Sequence, residues 1–116
     1  MKTIHKFRLE PGKEPTTLSL TEGYRVVRSE YIVPHKAVYL WVEQPLNVGA
    51  TALKRQFRVA LSGEPVPRTF EYIDTALDQF GPEAYHVFAV PSEGESGGVK
   101  PENDALINQP LASSDW

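Results

Sequence analysis

Side chains alternate between apolar and polar from Gln56 to Leu61: Phe57, Val59 and Leu61 fall on one face, and Gln56, Arg58 and Ala60 on the other. A period of two is the mark of a strand with one buried face. The six residues that follow, SGEPVP, cannot continue a ladder. Pro65 and Pro67 each lack a backbone donor, and each biases the residue before it toward extended or turn geometry. Strand character resumes from Phe70 to Thr75, so FRVALSGEPVPRTFEYI reads as a hairpin that pins the strands on either side of it. No segment before residue 90 has a convincing period of 3.6, although FEYIDTALDQF has room for one or two helical turns.

The same alternation appears at the start of the chain, where His5, Phe7 and Leu9 share one face and Lys6 and Arg8 the other. Pro11 to Pro15 breaks it, and Leu18 and Leu20 then share a face in TTLSL, so these two strands are expected to pair as a hairpin. In YRVVRSEYIV the apolar positions change parity between Val26 and Val27, which a β-bulge at that point reconciles. Val33 to Lys36 separates this run from AVYLWVE. There Ala37, Tyr39 and Trp41 face one way and Val38, Leu40 and Val42 the other. A strand apolar on both faces is normally central or covered on each side, so Val38 to Val42 is expected in the middle of the core. Residues 44–53 lack periodicity and read as a mobile connecting loop, Asp78 to Pro82 as a turn, and AYHVFAV as a closing strand. The fold class that follows is all-β: about seven antiparallel strands in a small sandwich or partly open barrel.

A chain of 116 residues supports one modest core. Its composition changes at Pro91. Residues 1–90 carry 11 Lys/Arg against 10 Asp/Glu, whereas residues 91–116 carry one Lys against five acids among many Gly, Ser and Pro. This divides the chain into a compact β domain over 1–90 and an extended acidic tail over 91–116. A near-neutral body is a poor match for a phosphate backbone, which argues against nucleic acid as a partner. The apolar runs fall far short of the roughly 20 residues of a membrane-spanning helix, and the N-terminus lacks the apolar core of an export signal. Cysteine is absent, which excludes disulfides and suits a reducing cytoplasm.

No motif for catalysis or phosphate binding stands out, and neither GxGxxG nor GxxxxGK[ST] occurs. His86, between Tyr85 and Val87 in a strand, has the chemistry of a general base or ligand, but nothing spaced to it in sequence completes a site. His5, His35 and His86 form no HxH or HxxxH pair, so neither a metal site nor a cofactor is expected. Glu71 and Asp74 flank Tyr72, with Glu83 nearby, yet charges at strand ends are ordinarily solvated. Lys54 and Arg58 share a strand face with Gln56, and Arg68 is expected across the turn from them; together they form a candidate site for one small anion, such as a nucleotide. Tyr39 and Trp41, with Tyr31, form a candidate aromatic surface for a protein partner, to which Glu64 and Arg68 of the proline-rich loop would add.

Several short pieces add a family resemblance: Met1-Lys2-Thr3-Ile4 with Lys6-Phe7, the pair Leu40-Trp41, Phe57-Arg58-Val59 followed by Gly63-x-Pro65-Val66-Pro67, Tyr72-Ile73-x-Thr75, and Tyr85-His86-Val87-Phe88. In this order, over roughly residues 1–89, the chain resembles a small family of uncharacterised phage and prophage proteins, a domain of unknown function. The resemblance implies a compact β-rich phage-type protein and supplies no activity; the expected location is the host cytoplasm, or the virion if the protein is structural. The Asn47–Ala52 loop, Asp78–Pro82 and the tail depart from the family pattern.

The expected function is that of a non-enzymatic phage or prophage accessory protein acting by protein–protein interaction, on a host factor or defence system, a phage protein or a second copy of itself. One alternative is a virion structural or decoration protein using the tail as a docking arm. The other is a protein that sequesters a small anionic ligand.

Overall fold

Strand β4 (Ala37–Pro45) occupies the centre that its two apolar faces predict, hydrogen-bonded to β1 (Lys2–Leu9) on one side and β3 (Arg25–Ile32) on the other. In this computed structural model, which describes residues 1–92, a second sheet follows the order β2-β5-β7-β6, with β2 at Gly12–Thr21, β5 at Ala52–Leu61, β6 at Glu71–Leu77 and β7 at Ala84–Val90. All pairings are antiparallel, and the two sheets stack as an open sandwich rather than closing into a barrel. Beyond Pro91 and Ser92, the proposed tail lies outside the described residues.

Val38, Leu40 and Val42 of β4 are fully buried between the sheets, and Leu9, Leu18, Leu20, Phe57, Val59 and Val87 complete most of the core around them. The alternation expected for β1 and β5 is present. Leu9 lies opposite Val38 and Phe7 opposite Leu40, so the His5–Phe7–Leu9 face points inward. On β5, Phe57 and Val59 are buried. The parity change in β3 is a bulge: Val26 lies opposite Val42 and Arg28 opposite Trp41, which leaves Val27 as the extra residue, 39% exposed.

Two expected hairpins are not formed. β1 pairs with β4 and β2 with β5, so Glu10 and Pro11 carry the chain from one sheet to the other. The opening stretch is not a hairpin either, because β7 lies between β5 and β6 and pairs with both. Since β7 is antiparallel to each, β5 and β6 run parallel, and parallel neighbours cannot be joined by a tight turn. Residues 62–70 therefore return the chain along the sheet and past β7, a task for which extended, proline-stiffened backbone is suited. The segment FEYIDTALDQF contains strand β6 rather than helical turns, because its backbone groups pair with β7.

Two polar contacts join the sheets. A bulge at Ile73, between Tyr72 opposite Phe88 and Asp74 opposite Val87, brings Asp74 to the inner side of β6. Its Oδ2 accepts from the backbone N–H of Ser29 at 3.0 Å and from the Ser29 hydroxyl at 2.8 Å. Ser29 lies on β3, an edge strand, so the carboxylate occupies a donor that the sheet itself leaves open. At another point Gln44, 6% exposed, accepts the N–H of Thr21 through Oε1 at 2.7 Å and donates through Nε2 to Nδ1 of His5 at 3.0 Å. Close by, Gly23 has φ +92°, and a Cβ there would sit 3.3 Å from Cγ of Pro45. The left-handed backbone and the close approach both favour glycine.

Candidate functional site

The solvent side of the three-stranded sheet carries an aromatic strip bordered by charge. Tyr39 and Trp41 project from β4 away from the core, with ring centroids 6.4 Å apart. Lys6 and Arg28 flank Trp41 in the register, and Arg8 and Glu30 flank Tyr39. Lys6 Nζ lies 4.9 Å from the centroid of the Tyr39 ring, and His35 Nδ1 is 2.9 Å from the Tyr39 hydroxyl. Arg8 pairs with Glu10 at 2.7 Å, and Arg28 pairs with Glu30 through Nε at 2.6 Å. Both rings are half-buried. Tyr31, grouped with them on sequence grounds, belongs elsewhere: it lies opposite Val38 and points inward.

One carboxylate organises the far end of the same face. Glu43 receives Lys2 at 2.8 Å and Arg25 at 3.0 Å, and its side chain is 18% exposed. The hydrogen bond from Lys2 and then that from Arg25 hold its carboxyl below the usual glutamate range. A lowered folded-state value contributes stability that is complete above the unfolded value of about 4.3 and lost as pH falls through the folded one. Glu43→Gln should therefore flatten the acid limb of the stability profile. Urea midpoints at pH 7, 4 and 3 check this: the wild type should lose more stability than the variant on acidification, and equal losses would exclude the pairing as a source of acid sensitivity.

The outer face of the second sheet holds the predicted basic residues in a different arrangement from the one expected. Lys54 and Arg58 do share the outward side of β5, but four strand residues separate them by roughly 13 Å. Arg68 does not lie across a turn from them, because β7 stands between β5 and β6, and it is exposed three residues before β6 begins. What the pairing brings together instead are residues 24 and 11 apart in sequence. The Ser62 hydroxyl is 2.9 Å from Nε2 of His86, Nδ1 of His86 is 3.0 Å from Oγ1 of Thr75, and Oγ1 is 2.6 Å from the Tyr72 hydroxyl. In the register Thr75 lies opposite His86, and Arg58 lies opposite Phe88, which lies opposite Tyr72. Phe88 and Tyr72 meet edge to face at 5.9 Å. Ser62 and Thr75 carry no spacing signal to His86 in the sequence; only knowledge that β7 sits beside both β5 and β6 would have linked them.

At one end of the sandwich an open cleft of ≈ 440 Å³ separates the sheets, with Val59 and Leu61 in its lining and Lys36, Glu64 and Glu83 among its polar groups. Tyr31 and Tyr85 stack in its wall at 4.4 Å. Burial, and then the hydrogen bond with Tyr31, push the Tyr85 phenol up to about 12. Glu64 is engaged locally, accepting the N–H of Leu61 through Oε1 at 2.8 Å. It therefore belongs to the cleft mouth, and neither Glu64 nor Arg68 is on the Tyr39–Trp41 strip. The carboxylates Glu71 and Asp74 do not pair, since Glu71 is exposed and Asp74 holds Ser29.

Among the described residues no group of three or more His, Cys, Asp or Glu side chains is placed to hold a metal ion, and no helix is long and apolar enough to cross a membrane. Neither a curated protein nor a solved structure matches the chain. Residues 1–98 match the family described as a domain of unknown function (DUF7352), and by a match over most of its length the chain belongs to that family.

Proposed function

We propose that this is a non-enzymatic binding protein, of the phage or prophage accessory kind that its sequence resembles, and that it contacts a protein partner through the outer face of the β1-β4-β3 sheet. The observation that carries this reading is the pair of half-buried rings, Tyr39 and Trp41, on the solvent side of the central strand. Aromatic side chains ringed by arginine are the commonest anchors of protein interfaces. A central strand with large aromatic side chains on its outer face is also an arrangement that a partner completes. The cations Lys6, Arg8 and Arg28 border the rings in the register, Arg8 and Arg28 paired with Glu10 and Glu30, and suit a partner surface richer in acids.

The test is affinity capture with the full chain and with Trp41→Ala and Tyr39→Ala, against host and phage proteins, with light scattering to register self-association. A partner or a dimer retained by the wild type and lost by both variants, at unchanged fold by circular dichroism, is the expected outcome. Retention of the same partner by both variants would remove this face from the interaction.

A further inference from the structure

Arg58 stands apart from the other arginines near the sheets. Arg8, Arg25 and Arg28 each meet a carboxylate. Arg58 meets none among the described residues, yet its Nε is buried with no hydrogen-bond partner. A buried guanidinium nitrogen left unpaired is costly, and a residue that persists in that state is a candidate for pairing with something that arrives later. Ala60, on the same outward side of β5, is 1% exposed, whereas Tyr72 at the far side of the patch is 55% exposed, so the face is covered beside Arg58 and open to solvent at Tyr72.

The neighbours of Arg58 indicate what would fit. Phe88 lies beside it on β7, and Tyr72 lies beyond on β6, so one row across the sheet reads cation, ring, phenol. The adjacent row carries His86 between Ser62 and Thr75. Ser62, His86, Thr75 and Tyr72 form a chain of three hydrogen bonds. With a neutral imidazole the four groups hold four mobile protons for those three links. Whichever way the chain is polarised, one hydroxyl, that of Ser62, Thr75 or Tyr72, is left free to donate. The patch thus supplies a fixed positive charge, an apolar ring face and one spare O–H donor, and no carboxylate shares its two rows.

We propose that this patch binds a small anion carrying an aromatic group, an aryl phosphate or aryl carboxylate, with the anion on Arg58 and the ring against Phe88. The site is separate from the Tyr39–Trp41 strip and stands or falls independently of it. Lys54, roughly 13 Å along β5, is too far to share one small ligand with Arg58.

The experiment is calorimetric titration of the full chain with phenyl phosphate and with inorganic phosphate, repeated on Arg58→Met and Thr75→Val. Phenyl phosphate should bind more tightly than phosphate. Loss of the charge-assisted bonds in Arg58→Met should weaken it by about 10- to 100-fold. Thr75→Val, which breaks the hydroxyl chain without touching the charge, should weaken it less, and denaturation midpoints establish that both variants fold. No binding by the wild type, or binding unchanged in Arg58→Met, overturns the site. Equal affinity for the two probes overturns the role of Phe88, and with it the proposed ligand class.

Discussion

Replacing Phe57 by alanine should lower the unfolding free energy by about 3–5 kcal/mol, the range for removing a large aromatic side chain from a closed core. Phe57 is 1% exposed and is the largest of the fully buried side chains. It also lies where the second sheet is widest, opposite Thr16 of β2 on one side and Ala89 of β7 on the other. Neither neighbour is large enough to fill the space it would leave. Domains of this size have total stabilities of about 5–15 kcal/mol, so the variant should be marginal at 25 °C. Urea denaturation followed by circular dichroism measures the loss. Phe80, 82% exposed, is the matched control: Phe80→Ala should stay within about 0.5 kcal/mol of wild type. A loss below 1 kcal/mol at Phe57 would contradict its place at the centre of the sandwich.

The second large effect is expected at a polar residue. Asp74→Ala removes the acceptor of both the N–H and the hydroxyl of Ser29, which is itself 5% exposed. Hydrogen bonds to a charged acceptor contribute about 1.5–3 kcal/mol, and an N–H left unsatisfied in a part-buried site adds to the loss. The variant should be destabilised by about 2–3 kcal/mol. Ser29→Ala keeps the backbone contact and should lose about half as much. Hydrogen exchange gives a second readout, because the Ser29 amide should exchange much faster in Asp74→Ala and little faster in Ser29→Ala. If the two substitutions cost the same, the carboxylate is not capping the edge of β3.

These two residues also show what could be read in advance. Phe57 was legible because burial on a strand follows from alternation, a local property, and the same reasoning located β4 at the centre and the bulge at Val27. Pairing is not local. The hairpins expected between the first two strands, and across the proline-rich loop, rested on adjacency in sequence. The chain instead changes sheets at Glu10–Pro11 and inserts β7 between β5 and β6. Every site that depends on pairing was therefore hidden. Asp74 looked like a solvated strand-end acid because the Ile73 bulge that turns it inward leaves no mark in composition. His86 looked isolated because Ser62 and Thr75 reach it only across β7. Lys54 and Arg58 share the outward face that alternation implies, but roughly 13 Å apart, and Arg68 joins them only if β5 and β6 form a hairpin, which β7 prevents.

The position of β7 also bears on how the molecule is made. Synthesis delivers the strands in order, and the four-stranded sheet has β2 and β5 available before β7 is made. β6 has no partner in its own sheet until β7 arrives, and the outer edge of β5 stays open for the same interval. A nascent chain ending before Ala84 therefore holds an unfilled slot between two parallel strands, with Phe57 and Val59 incompletely covered beside it. Such a slot accepts one strand of the right alternation from any source, and a free edge of this kind is where non-native pairing starts. Only β7 pairs with both edges, so the cover over this side of the core depends on the seven residues from Ala84 to Val90.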